Sequence, residues 1–247
     1  AGISFSFVAG TSIGAVVGAL LAKGYSSEDM RRIVEGVNRR EFSKNLRPFA
    51  DLSFAERFLE NYLEGDFTTL RLPFAACATD GKDNRLVVLR KGKLARAVTA
   101  SSAIPPLFKA VELDGRELYD GAFTNAIPTD VCRALGAQFV IGIDLGAFAK
   151  PEEEKGRFSR LLGSALAYIQ PVRYMKDQRE RGYQNADYML RPPLGAFRST
   201  DISEAAMEEM YTLGYEEAKR CMEEIRGAIQ SFSKERSGKK PSKKNGG

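Results

Sequence analysis

Residues 3–24 read ISFSFVAGTSIGAVVGALLAKG. A short β-rich run, 3–10, gives way almost at once to an apolar run of helix length, 13–23. That run stops at Gly24, a residue suited to the left-handed position after a helix. Only Thr11 and Ser12 lie between the two runs, so the chain must turn from strand to helix on Ser12. Gly10 and Gly14 flank the turn as Gly-x-Ser-x-Gly. Strand, sharp turn and helix together are the setting of an exposed nucleophilic serine, with the positive helix N-terminus close to any charge that develops on a substrate. The plainer alternative is a glycine-rich βα turn that packs tightly or binds a phosphate. Against the phosphate, neither the GxGxxG spacing nor the lysine of a P-loop is present.

The rest of the chain continues the alternation. Residues 26–40 open with serines and early acids and predict a helix. Residues 53–65 predict another, with Ser53 and Glu56 as a capping box and Phe54, Phe58, Leu59, Tyr62 and Leu63 as its apolar face. Strands are expected at 72–80 and 85–92. The stretch 93–108 starts as a helix and must end by Pro105. Residues 110–123 predict a hairpin through Asp114-Gly115. A short helix over 128–137 has Pro128 at its start and Gly136 after it. Residues 138–146 form a continuous apolar run of the kind found in buried parallel strands. Residues 157–184 read as largely helical with a disturbance at Pro171, 187–192 as a short strand, and 203–232 as one long helix through Met207, Met210, Ala218, Cys221, Ile225 and Ile229. The expected class is α/β with a mainly parallel sheet.

Composition matters chiefly through one zero: the 247 residues include no histidine. A serine nucleophile must still lose its proton, and Asp, Glu, Lys and Tyr are the remaining acceptors. A Ser-x-x-Lys arrangement is ruled out because residue 15 is Ala. A carboxylate set directly against the hydroxyl is the economical solution. Asp80, Asp120 and Asp144 fall at the ends of expected strands. Asp120 stands out because Gly121 and Ala122 follow it, and small residues let a second backbone approach. The ordinary reading of such an aspartate is a turn or capping residue, and Asp80 and Asp144 keep it.

Three isolated cysteines, with no CxxC pair and no histidine, make a zinc site hard to assemble, and predict buried thiols in a reducing, cytoplasmic setting. The weakly polar run 7–22 is short for a membrane span and has no basic segment before it. Residues 233–247 carry six Lys or Arg against one Glu, which accounts for the whole formal charge of +5. The body, 1–232, is formally neutral, so no nucleic-acid footprint is expected. The expected organisation is one catalytic-size domain, 1–232, and a basic, disordered tail, 233–247. The tail reads either as a solubilising terminus or as a peripheral contact for an anionic membrane.

The segment GTSIGAVVGALLAKGYS, 10–26, resembles the nucleophile segment of patatin-like phospholipases. Residues 100–146 resemble that family's second conserved region, in which Asp-Gly-Gly or Asp-Gly-Ala supplies the aspartate of a Ser–Asp dyad. Residues 197–225 are similar more weakly. The resemblance implies a three-layer α/β/α fold and a dyad of Ser12 and Asp120, framed by Gly10, Gly14, Gly121 and Ala122. It also implies hydrolysis of phospholipid, lysophospholipid or another lipid acyl ester through an acyl-enzyme, without metal or organic cofactor. Acyl transfer to an alcohol is not distinguished from hydrolysis by these motifs. The family's Gly-Gly-Gly-x-[Arg/Lys]-Gly oxyanion loop has no counterpart in residues 1–9, so the expectation is that it lies before Ala1. The Ile13 backbone N–H is then the one oxyanion donor expected here. The rival expectation is a non-catalytic α/β binding or regulatory domain that keeps the turn without the loop.

Overall fold

The computed structural model describes residues 2–37, 44, 47–146, 172–197 and 203–238. The expectations for 157–171, for Pro171 and for 239–247 fall outside these residues.

Strand β1, Val8–Thr11, runs into helix α1, Ile13–Lys23, with Ser12 alone between them. Gly24 ends α1 in the left-handed conformation, φ 102°, as its position predicts. Helix α2, Ser27–Glu35, starts from a true capping box: the Ser26 hydroxyl accepts from the Asp29 N–H, and Asp29 accepts from the Ser26 N–H. It stops at Gly36, short of the expected residue 40. Helix α3, Ser53–Glu60, lacks the expected box. Asp51 takes the Ser53 N–H, and Glu56 turns instead to an ion pair with Arg96.

Strands β2, Phe74–Asp80, and β3, Leu86–Leu89, follow; then helix α4, Leu94–Ala100, and the hairpin strands β4, Val111–Leu113, and β5, Arg116–Asp120. Asp114 and Gly115 both have positive φ, 50° and 72°, as a two-residue hairpin turn needs. Helix α5 is Thr129–Ala134, strand β6 Ile141–Ile143, helix α6 Val172–Gln184 and strand β7 Tyr188–Leu190. Two helices, α7 at Glu204–Arg220 and α8 at Met222–Gly238, replace the single long helix expected. The ladder pauses at Cys221, whose buried thiol packs with Leu190 and Ile225. The last helix also runs six residues into the stretch read as tail.

The fold is α/β, with a mixed sheet. β1 lies parallel to β2, and β6 parallel to β7. β3 is antiparallel to β2 and β4 to β5, because such short connections can close only antiparallel pairs, whereas a parallel pair needs a long crossover; β5, reached through β3, α4 and β4, is antiparallel to β2 as well. β2 is the centre and is buried on both faces. Phe74, Ala76 and Ala78 pack with Leu20, Leu59, Leu63, Leu94 and Val98 from α1, α3, α4 and the turn after α3. Ala75 and Cys77 face the other way, toward Val131 of α5. Helices on both faces give the three layers.

Register sets the position of the site. Cys77 pairs with Thr11 on one edge of β2 and Val88 on the other, and Ala78 pairs with Asp120 and Val87. β1 and β5 therefore share one edge of β2 and point at each other. β1 ends opposite Cys77 and β5 ends opposite Ala78, the very next residue.

The run 138–146 is not a strand of this sheet. Among the described residues β6 pairs only with β7, and Ile143 and Leu145 are 58% and 48% exposed. The exposure of these two follows from Asp144 between them, whose buried side chain points inward and leaves its apolar neighbours outward. It pairs with Arg179 and accepts from the Tyr183 hydroxyl, 2.7 Å, and the Gly146 N–H, 2.9 Å. Burial alone would raise its pKa, but these partners outweigh burial and hold the carboxyl below its ordinary value. Asp144 is thus a clamp between β6 and α6.

Candidate active site

Ser12 occupies φ 56°, ψ −125°, a backbone region that costs a non-glycine residue of order 1–3 kcal/mol. Its hydroxyl makes no cap to α1, which leaves that hydroxyl available for chemistry. The neighbouring glycines are not equivalent. A Cβ at Gly10 would lie 2.1 Å from the Gly14 carbonyl oxygen, so the first turn of α1 can double back over β1 only if residue 10 has no side chain. A Cβ at Gly14 would meet nothing within 4 Å. The expectation that both glycines serve the turn thus holds sterically for Gly10 alone.

Asp120 comes to the same place from the opposite direction. It is 2% exposed. Its Oδ1 accepts from the Ala122 N–H at 2.8 Å, and its backbone carbonyl accepts from the Thr79 hydroxyl at 2.9 Å. Its Oδ2 is buried with no hydrogen-bond partner. Burial raises the Asp120 pKa from 3.8 to about 6; the Ser12 hydroxyl is near enough to oppose that rise, and the Ala122 N–H opposes it too. Ser12 does so without a hydrogen bond of good geometry to Oδ2. A loose contact of this kind is common before substrate tightens a site. Gly121 then folds back over β2, where a Cβ would stand 2.1 Å from the Cys77 carbonyl oxygen. The close approach anticipated from the small residues after Asp120 is real at that position. Asp80 does not share the site: it accepts from the Lys82 N–H within the β2–β3 turn.

Ser101 and Asn125, which sequence reasoning passed over, build the surroundings together with Thr11. The Ser101 hydroxyl joins the Ser12 N–H to the Cys77 carbonyl. The Thr11 hydroxyl donates to the Asn125 carbonyl at 2.7 Å, and the fully buried Asn125 donates in turn to Asp130. Small polar residues just beyond an apolar helix, as in ASSA at 100–103, are the signal that could have pointed to Ser101: a hydroxyl at a buried helix end must find a partner.

A model of the patatin-like phospholipase family matches residues 1–133, more than half of the chain. The chain belongs to the patatin-like phospholipase family. It is similar to the human patatin-like phospholipase domain-containing protein 6, 28% identical over 261 residues that cover 89% of this chain and 18% of the human protein. The rat patatin-like phospholipase domain-containing protein 7 is 28% identical over 87% of this chain and 18% of its own length. Neuropathy target esterase sws of Drosophila melanogaster is 24% identical over 91% of this chain and 18% of its own. The chain thus spans about a fifth of the length of these relatives. Among the described residues of this patatin-like chain, no group of acids and cysteines is arranged to hold a metal, and no helix is long and apolar enough to cross a membrane.

Proposed function

We propose that this chain is a lipid acyl-ester hydrolase in which Ser12 is the nucleophile and Asp120 its base. The observation that carries the reading is the buried, unpartnered Oδ2 of Asp120 beside the Ser12 hydroxyl, in a sequence without histidine. With Oδ1 occupied by the Ala122 N–H, Oδ2 is the oxygen left to receive a proton.

The steps follow. Ser12 Oγ bonds to the acyl carbonyl carbon, its proton passes to Asp120 Oδ2, and the carbonyl π pair moves to oxygen. That oxyanion forms at the start of α1, where the first N–H groups, Ile13 and Gly14, have no intrahelical acceptor and the helix dipole is favourable. Collapse breaks the ester C–O bond. The departing alcohol takes the proton back from Asp120, leaving an acyl-enzyme. Water then repeats the sequence: it gives a proton to Asp120, attacks the acyl carbon, and releases the fatty acid as Ser12 recovers its proton. Ile13 and Val17, one turn apart on α1 and 55% and 47% exposed, give the ground next to Ser12 an apolar character suited to an acyl chain. The basic segment 233–247 adds attraction to anionic headgroups.

The test is covalent labelling. Intact mass after a fluorophosphonate probe should show one adduct, with peptide mapping assigning it to Ser12. Ser12→Ala should lose both the adduct and p-nitrophenyl butyrate turnover. An adduct or turnover that persists in folded Ser12→Ala defeats the assignment.

A further inference from the structure

Ser101 touches both halves of the candidate site and is itself 0% exposed, so it meets no substrate. It follows the last residue of α4. Its hydroxyl accepts from the Ser12 N–H at 3.0 Å and donates to the Cys77 carbonyl at 2.6 Å. Its own carbonyl accepts from the Gly121 N–H at 3.3 Å, and two residues on the Ala103 carbonyl accepts from the Asp120 N–H at 3.0 Å.

Cys77 stands where the edge of β2 changes partner. Thr11 of β1 is its last neighbour on that side, and β5 begins at Ala78. Ser12 has left the ladder, turned away at φ 56°. A strand end of this kind leaves a backbone donor and acceptor that are costly to bury unpaired. One hydroxyl, with one proton to give and lone pairs to receive, satisfies both at once. No apolar side chain and no lysine has that pairing.

We propose that Ser101 is a positioning residue: its hydroxyl fixes the strained Ser12 backbone against β2, while its main chain ties down the segment bearing Asp120, so that one short stretch sets the spacing of the two groups. This rests on the dyad reading, and its test is separable from that reading. The action is through Ser12 and Asp120, so turnover should suffer and substrate binding should not.

The experiment compares wild type, Ser101→Ala, Ser101→Thr and Val98→Ala in ester hydrolysis, with unfolding curves for each. Val98 is equally buried on α4 and packs in the core, so Val98→Ala reports mere loss of packing. Folded Ser101→Ala should lose ten- to a hundredfold in kcat with KM within twofold. The acid limb of its kcat/KM profile should also move to higher pH, because a displaced Ser12 hydroxyl no longer opposes the rise at Asp120. Ser101→Thr, which keeps the hydroxyl, should recover most of the kcat, and Val98→Ala should leave kcat and the limb in place. If Ser101→Ala does not fold, Ser101→Cys replaces it under the same criteria. A folded variant without the hydroxyl but with kcat within twofold of wild type overturns the proposal. So does an equal loss in Ser101→Thr and Ser101→Ala, which would tie the effect to packing. Absence of Ser12-dependent turnover in wild type would instead count against the dyad.

Discussion

Two residues carry energetic costs that the fold must meet elsewhere, Ser12 through its backbone and Asp120 through its burial. The sign of the second is specific. A carboxyl whose folded pKa is about 6 against 3.8 binds its proton more tightly in the native state. Its favourable contribution is complete below about 3.8 and is lost as pH rises through about 6, after which the buried charge costs up to about 3 kcal/mol. Asp120→Asn removes that charge and keeps an acceptor for the Ala122 N–H. The variant should therefore be inactive yet more stable than wild type at pH 8, by about 1–3 kcal/mol, with the gain fading toward pH 4. Denaturant unfolding at the two pH values checks this, and a variant less stable at pH 8 would mean that its neighbours already stabilise the carboxylate. Wild-type kcat/KM should rise with pH through about 6, since the base must be ionised to act. The two motif glycines give a second prediction. Gly10→Ala forces a Cβ against backbone and should cost about 3 kcal/mol or more, whereas Gly14→Ala has open space and gains helix propensity. Thermal unfolding should show a large loss for the first and no loss, or a small gain, for the second.

At the scale of elements, what the sequence disclosed and what it hid have physical reasons. Gly24, Ser26 with Asp29, Asp114-Gly115, Pro128 and Gly136 act locally, and each ends or starts its element where its chemistry requires. Ser53 and Glu56 have the spacing of a capping box, but one local and one tertiary partner displace it: Asp51, two residues before, reaches the Ser53 N–H, and Arg96 claims Glu56. The run 138–146 looks uniformly apolar, yet the single Asp144, drawn to Arg179 and Tyr183, decides which of its residues face inward. Cys221 breaks a periodicity that continues on both sides of it. Ser12 was legible because the turn is local. Asp120 stood out among the aspartates through the small residues after it, and the resemblance paired it with Ser12; their meeting in space depends on β1 and β5 coming head-on along one edge of β2, which no local pattern encodes. Ser101 was hidden for the same reason: its three bonding partners lie 89, 24 and 20 residues away in the chain.

Across the whole molecule, charge and chemistry are separated along the chain. Residues 1–232 hold equal numbers of acidic and basic side chains, and the excess sits in the last fifteen residues. A neutral body gives little long-range attraction to a lipid surface, so an anionic membrane should be met first by the C-terminal end. Residues 239–247 alone contribute Lys239, Lys240, Lys243 and Lys244. Each lysine near an anionic surface is worth about 1 kcal/mol at physiological salt, and a tenfold change in binding needs about 1.4 kcal/mol. Even if half of this is realised, deleting 239–247 should weaken binding to vesicles rich in phosphatidylserine by at least about tenfold. The loss should vanish near 1 M salt, where the Debye length is about 3 Å. Binding to neutral phosphatidylcholine vesicles should be unaffected. Turnover of a short-chain ester free in solution should also be unchanged, because Ser12, Asp120 and Ser101 all lie in the body. Turnover of lipid presented in anionic vesicles should fall with binding. Co-sedimentation at low and high salt, read beside both assays, separates attraction from chemistry. Equal sedimentation of the full and shortened chains at low salt would show that the membrane is engaged by the body instead, for which the half-exposed Ile13 and Val17 beside Ser12 would be the surface to test.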